Sequence, residues 1–245
     1  LWDVYNDVHM GNTGETVAKE HGISREDADS FSVRSHTRAA QAWDNGWFDW
    51  EVVPVSVPQR RKDPILIERD EGFRGDTSME SLGKLRAAFD QEGQVTAGNA
   101  SQISDGAAAV LVADRALAEE QGWEIICTIV DQVTSGVEPA KVMSAPIPAI
   151  QMLLTRNDLA VDDVDLYEHN EAFAAASCSV AKVIGISDDK FNVHGGAVAL
   201  GHPLGASGTR CLISMIGAMR RLELNSGIVT LCLGGGNAVA MLIQI

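Results

Sequence analysis

Asn192-Val193-His194-Gly195-Gly196-Ala197-Val198-Ala199-Leu200-Gly201-His202-Pro203-Leu204-Gly205-Ala206-Ser207-Gly208 is the densest signal in the chain. Glycine and alanine crowd around one imidazole, His202, while Pro203 stiffens the turn that precedes a helical pattern at about Ala206–Leu222. Such a loop exposes a histidine rigidly and lets backbone or ligand come close. Read alone, His202 is equally a hydrogen-bonded loop residue. Glycines ahead of a helix also suit phosphate, but neither a P-loop Lys-Ser/Thr nor Rossmann spacing accompanies them.

Downstream, two apolar segments at Ile228–Leu233 and Ala238–Ile243 flank Gly234-Gly235-Gly236 and read as strands joined by a tight turn, antiparallel to each other. Upstream, Asp165–Glu168 reads as a short strand, Glu171–Ile184 and Ile147–Arg156 as helices, and Ile125–Val133 and Ala107–Ala113 as strands around a helix at Arg115–Gln121. Strands alternating with helices predict an α/β sheet covered on both faces. Before Gly98 the signals are mostly helical. Ser24 with Asp27 three residues on forms a helix start and Gly46 a stop. Val52–Val57 is extended, with Pro54 holding it at an edge. Gln59–Asp76 reads as an exposed polar loop, and Ser78 starts a short helix through Lys84 and Arg86.

The chain has 245 residues, 45% of them hydrophobic, which is enough for a substantial core. A formal charge of -15 argues against nucleic acid as a partner, because phosphate binding needs a basic face. No apolar run is long enough to predict a membrane helix. Cys127, Cys178, Cys211 and Cys232 lie far apart, without a CxxC pair or histidine at ligand spacing. That pattern predicts neither metal site nor disulfide framework, and fits a cytoplasmic location.

Three further segments carry candidate chemistry. In Leu231-Cys232-Leu233-Gly234, a cysteine ends an apolar strand beside glycines whose N–H groups are free to hold an oxyanion. The same cysteine also reads as a small buried hydrophobe. Asn170, at a strand-to-helix junction, reads either as a helix cap or as the holder of a water or substrate oxygen. Val8-His9-Met10-Gly11 and Thr96–Ser101 supply apolar and small residues that suit an acyl pocket or ordinary packing.

Taken in order, His9-Met10-Gly11, Val95–Ser101 with Asp105-Gly106-Ala107-Ala108, Asn170-Glu171-Ala172-Phe173-Ala174, the Gly-His-Pro block and Cys232–Gly236 resemble the thiolase family over essentially the whole chain. The resemblance implies a five-layered αβαβα fold with its first half incomplete. Residues 1–102 would be a loop domain over the active site, 103–124 a returning part of the N-terminal half, and 125–245 the C-terminal half. It implies acyl-CoA acetyltransferase chemistry in lipid metabolism: Claisen condensation of acetyl-CoA, or CoA-dependent cleavage of a 3-ketoacyl-CoA. Coenzyme A would be a substrate, with no tightly bound cofactor and no metal.

By the same resemblance His202 activates the nucleophile and helps form one oxyanion hole with a water held by Asn170. Cys232 moves the proton, and Gly234 N–H serves the other oxyanion hole. Ser101, Phe89, Ala172, Phe173, His9 and Met10 surround pantetheine and acyl group, and Lys84 and Arg86 attract the CoA phosphates. Thiolases carry their nucleophilic cysteine upstream of the His-Met-Gly segment, so it is expected outside this chain. The expected assembly is a homodimer, a homotetramer, or a complex with a chain bearing the N-terminal half. Two other readings are a non-catalytic CoA-binding half and a ketoacyl-synthase-like enzyme. Cys232 before a glycine run counts against the latter.

Overall fold

A computed structural model describes residues 1–245. A two-stranded ribbon, β1 (Trp2–Asp3) with β2 (Val8–His9), leads into helices α1 (Met10–His21) and α2 (Arg25–Asp44). Helix α2 starts at a full capping box: Ser24 Oγ accepts from Asp27 N, and Asp27 Oδ2 accepts from Ser24 N. It ends at Asp44, two residues before Gly46. Strand β3 (Val55–Val57) pairs on one side only, with β4 (Ile65–Ile67). Strand β4 lies inside the segment expected to be irregular; Ile65-Leu66-Ile67 is apolar enough to pair across an exposed hairpin. Helix α3 (Met79–Gly83) stops before Lys84 and Arg86. The expected strand at Ala107–Ala113 does not form. A strand exists by pairing, and no strand of this chain pairs with it; Leu111 is 79% exposed.

After α4 (Arg115–Gln121) comes the main sheet, built from β5 (Thr128–Gly136), β6 (Leu166–His169), β7 (Ser226–Leu233) and β8 (Asn237–Gln244) in the order β5-β8-β7-β6. Strands β6 and β7 are parallel, and β8 is antiparallel to both neighbours. The intervening helices are α5 (Pro146–Arg156), α6 (Ala174–Ile184), α7 (Ala197–Leu200) and α8 (Ser207–Leu222).

Side chains alternate across this sheet, as a pleated strand requires. Tyr167, Ile228, Ala238, Ala240 and Leu242 face a core with Ile150 and Leu153 of α5 and Val180 of α6. Their neighbours Leu166, Val229 and Ile243 face Cys211, Met215 and Met219 of α8. Helix, sheet and helix thus make three of the five expected layers; the remaining segments add helices α1 to α4 and, as strands, only the two short ribbons. An apolar surface with Val110, Val112, Trp123, Ile126 and Ile129 remains open. It lines a cavity of about 710 Å³ with Leu212, Ile213 and Ile216 of α8.

Leu153 has no exposed surface. Truncation to alanine removes buried methyl groups and leaves a void, so Leu153→Ala is expected to cost about 2–5 kcal/mol in urea unfolding.

Candidate active site

The parallel strands β6 and β7 end side by side, and the site is assembled at that edge. Just beyond β6, Asn170 N donates to Thr230 O of β7 at 3.1 Å, two residues before Cys232. This backbone bond places the amide of Asn170 beside the end of the strand that carries the thiol. Asn170 is buried; its Nδ2 lies 3.2 Å from His202 Nε2, and its Oδ1 has no protein partner.

The loop carrying His202 is held by a buried carboxylate. Glu171 Oε2 accepts from Ser35 Oγ at 2.6 Å and from Val198 N at 3.1 Å, while Oε1 accepts from Asn192 Nδ2 at 2.8 Å. Asn192 also accepts from His169 N and donates to His169 O, both at 2.8 Å. Gly196 passes so close that any Cβ there would press on the Glu171 carboxyl. Gly201, at φ +96°, turns the chain into His202, and a Cβ there would collide with Ser104 Oγ. His202 N donates to Gln102 O at 2.9 Å.

Ser207, in the first turn of α8, lies with its Oγ 2.6 Å from His202 Nδ1 and donates to Pro203 O at 3.0 Å. A hydroxyl that gives its proton to Pro203 accepts one from the ring. Nδ1 is then the protonated nitrogen, and Nε2 accepts from Asn170 Nδ2. Burial, helped by the charge of Arg210, lowers the His202 pKa and keeps the ring neutral. The arrangement thus presents a basic Nε2.

Cys232 Sγ lies 3.7 Å from Met143 Sδ. The thiol keeps some accessible surface, yet burial pushes its pKa up to about 11 against a backbone hydrogen bond that pulls down. It packs with Met10, Phe89 and Ala100 around a cluster including Ala172, Phe173 and Met143. His9 caps α1 through Nδ1 and stacks on Phe89 at 4.7 Å; Phe89 meets Phe173 edge-on at 6.3 Å. Ser101 N donates to Ala172 O at 3.0 Å.

The structure therefore brings together most of the residues singled out from sequence. Gly234 lies at the exposed β7–β8 turn next to Cys232. Lys84 and Arg86 do not join the group: both are exposed, and Lys84, just past the end of α3, pairs with Glu80 within it. Cys127 and Cys211 pack on the α8 side of the sheet. Cys178 touches the edge of the apolar cluster but directs Sγ to Asp27 O at 3.7 Å. Sequence reasoning gave no role to Ser207, Met143 or Glu171. Ser207 had one local signal, its place five residues after His202 in a helix's first turn. Met143 had none, being 89 residues from Cys232.

The family descriptions "Thiolase, N-terminal domain" and "Thiolase, C-terminal domain" match residues 1–116 and 123–245. An acetyl-CoA acetyltransferase of Cupriavidus necator is 46% identical over 244 residues, covering 100% of this chain and 62% of that relative. A probable acetyl-CoA acyltransferase of Staphylococcus aureus is 45% identical, with the same coverage. Among solved structures, the acetyl-CoA acetyltransferase of Bacillus anthracis superposes at a TM-score of 0.97 with 39% identity, over 100% of this chain and 62% of that one. Human mitochondrial 3-ketoacyl-CoA thiolase in complex with CoA superposes at 0.94 with 37% identity, over 100% and 60%. The chain belongs to the thiolase family and has a thiolase-like fold. It spans about 62% of the length of the curated relatives it matches.

Two outcomes follow from these titrations. Alkylation of Cys232 by iodoacetamide, read by peptide mass spectrometry, is expected to be slow at pH 7 and to rise about tenfold per pH unit up to pH 10, because only the thiolate reacts. His36 and His194 are lowered by burial to about 4 and His169 to about 3. Above about pH 7.5 these rings are neutral in folded and unfolded chains alike. As pH falls further, the rings take up protons first in the unfolded chain. The histidines alone would lower stability from about pH 6.5 to 4, but Glu51 and Glu168, raised by burial to about 7 and about 8, take up protons first in the folded chain and offset much of this, so the expected slope in urea unfolding is about one proton near pH 5.

Proposed function

We propose that this chain carries the acid/base half of a thiolase site, acting in Claisen condensation of acetyl-CoA or in CoA-dependent cleavage of a 3-ketoacyl-CoA. The observation that carries the reading is the Asn170–His202 contact of 3.2 Å at the strand edge that Cys232 shares. In cleavage, the nucleophilic thiol of the upstream segment that relatives carry gives its proton to His202 Nε2 and attacks the 3-keto carbon. The C2–C3 bond then breaks, and its electrons form an acetyl-CoA enolate. Cys232, whose thiol is protonated at neutral pH, gives its proton to C2. Condensation runs the same path backwards, with Cys232 as the base. Asn170 Oδ1, buried without a protein partner, suits a water that donates to the thioester oxygen beside His202.

The apolar group of Met10, Phe89 and Phe173 suits the acyl and pantetheine chain. Residues 1–102 act in this reading as the loop domain covering the site, ahead of the 103–124 return and the 125–245 half. The open apolar surface near Val110–Ile129 fits burial against the rest of a thiolase, in one polypeptide or as a partner chain, and homo-oligomers belong to the same proposal. A cytoplasmic location also belongs to it, because the chemistry needs Cys232 reduced.

The test is CoA-dependent cleavage of acetoacetyl-CoA by the protein at its relatives' full length. Cys232→Ser and His202→Ala are each expected to lower kcat by about 10²–10⁴-fold, the usual contribution of a positioned proton carrier. Near-parental turnover in either variant refutes its assigned role.

A further inference from the structure

Gln102 follows the small-residue run Thr96–Ser101 and makes hydrogen bonds in two directions. Its main-chain carbonyl accepts from His202 N at 2.9 Å and from Ser104 Oγ at 3.3 Å. Its carboxamide nitrogen donates to Gly72 O at 2.8 Å and faces Ala199 O at 3.5 Å. Two neighbouring carbonyl oxygens call for a group with two hydrogens to give; a carboxamide has them and a carboxylate has none. Gly72 permits the approach, because a Cβ there would lie 2.8 Å from Gln102 Oε1 and 3.2 Å from Ala199 O.

The strap that supplies Gly72 is fixed on α2. Trp43 Nε1 donates to Asp70 Oδ2 at 3.3 Å, and Arg74 N donates to His36 Nδ1 at 3.0 Å. Gly75 runs so near the helix that a Cβ on it would lie 3.2 Å from that of Ala40. Helix α2 also holds the start of the glycine loop directly, where Gly196 N donates to Ser35 Oγ at 3.1 Å. Gln102 adds a second hold, from the strap to Ala199 and on to His202. Pro203, next in the chain, has no N–H to give, so His202 N is the main-chain donor that fixes this turn.

We propose that Gln102 is a positioning residue for His202. Its side chain clamps residues 70–76 to the glycine loop, and its own carbonyl sets where the imidazole stands relative to Asn170. The inference rests on the reading of His202 as a base.

The test is a double-mutant cycle on the protein at its relatives' full length, with cleavage of acetoacetyl-CoA as the assay. Gln102→Met keeps the length of the side chain and removes its donors. It is expected to lower kcat about tenfold, with KM for CoA within about twofold of the parental value. In the His202→Ala background the same substitution is expected to change kcat by less than about twofold, since no imidazole is left to position. Amide exchange in the 199–206 peptide, read by mass spectrometry without substrate, is expected to quicken about tenfold in Gln102→Met. An equal fall of kcat in both backgrounds marks general loosening, a rise in KM alone marks direct contact with substrate, and unchanged kcat marks no role; each overturns the proposal. Unchanged exchange overturns it whatever the turnover. Should Gln102→Met fail to fold, Gln102→Glu, which has the same shape and no donor, goes through the same cycle. Failure of the thiolase reading is seen separately, as a parental protein that does not cleave acetoacetyl-CoA.

Discussion

Glu171 is a carboxylate with no exposed surface, and the rest of the site depends on how its oxygens are partnered. An unpaired charge in such a place is too costly to keep. Here three donors approach it, from Ser35 on α2, Asn192 after α6, and the backbone of Val198 in α7. These elements come from distant parts of the sequence, so satisfying one carboxyl locks the N-terminal helices, the end of β6 and the glycine loop into one body. Burial still raises the Glu171 pKa against those hydrogen bonds.

From that knot outward, low polarity sets the protonation states. The same desolvation lowers His202 and raises Cys232, leaving a neutral ring and a protonated thiol at one strand edge. Neither state is the reactive form of a nucleophile; both suit proton exchange with a neighbouring thiol or carbon. The apolar cluster of Phe89, Phe173 and Met143 is the insulation that tunes Cys232, and in the proposed reading it is also the surface for an acyl chain.

Legibility differed between local and paired features. The α2 capping box, the helix after the Gly-His-Pro block and the antiparallel closing strands depend on residues a few positions apart, and they stand as read. Ala107–Ala113 failed as a strand because composition shows β propensity but not a pairing partner. The β3–β4 hairpin went unread because its apolar triplet sits inside a charged stretch. Lys84 and Arg86 were proposed on charge alone, and charge carries no direction: one pairs back onto the helix it follows and the other faces solvent.

The sequence by itself determined the family resemblance and the identities of Asn170, His202 and Cys232, because short motifs encode turn chemistry and residue type. Once the register pairs β6, β7 and β8, the strand period of two puts Tyr167, Ile228 and Leu242 on one face of the sheet. Only the tertiary structure decided that Ser207 Oγ accepts a hydrogen bond from His202 Nδ1–H, that Met143 abuts the thiol, and that Arg210 finds Glu168. Those contacts join residues up to 89 positions apart, at distances of a few ångströms that depend on every packed layer between them.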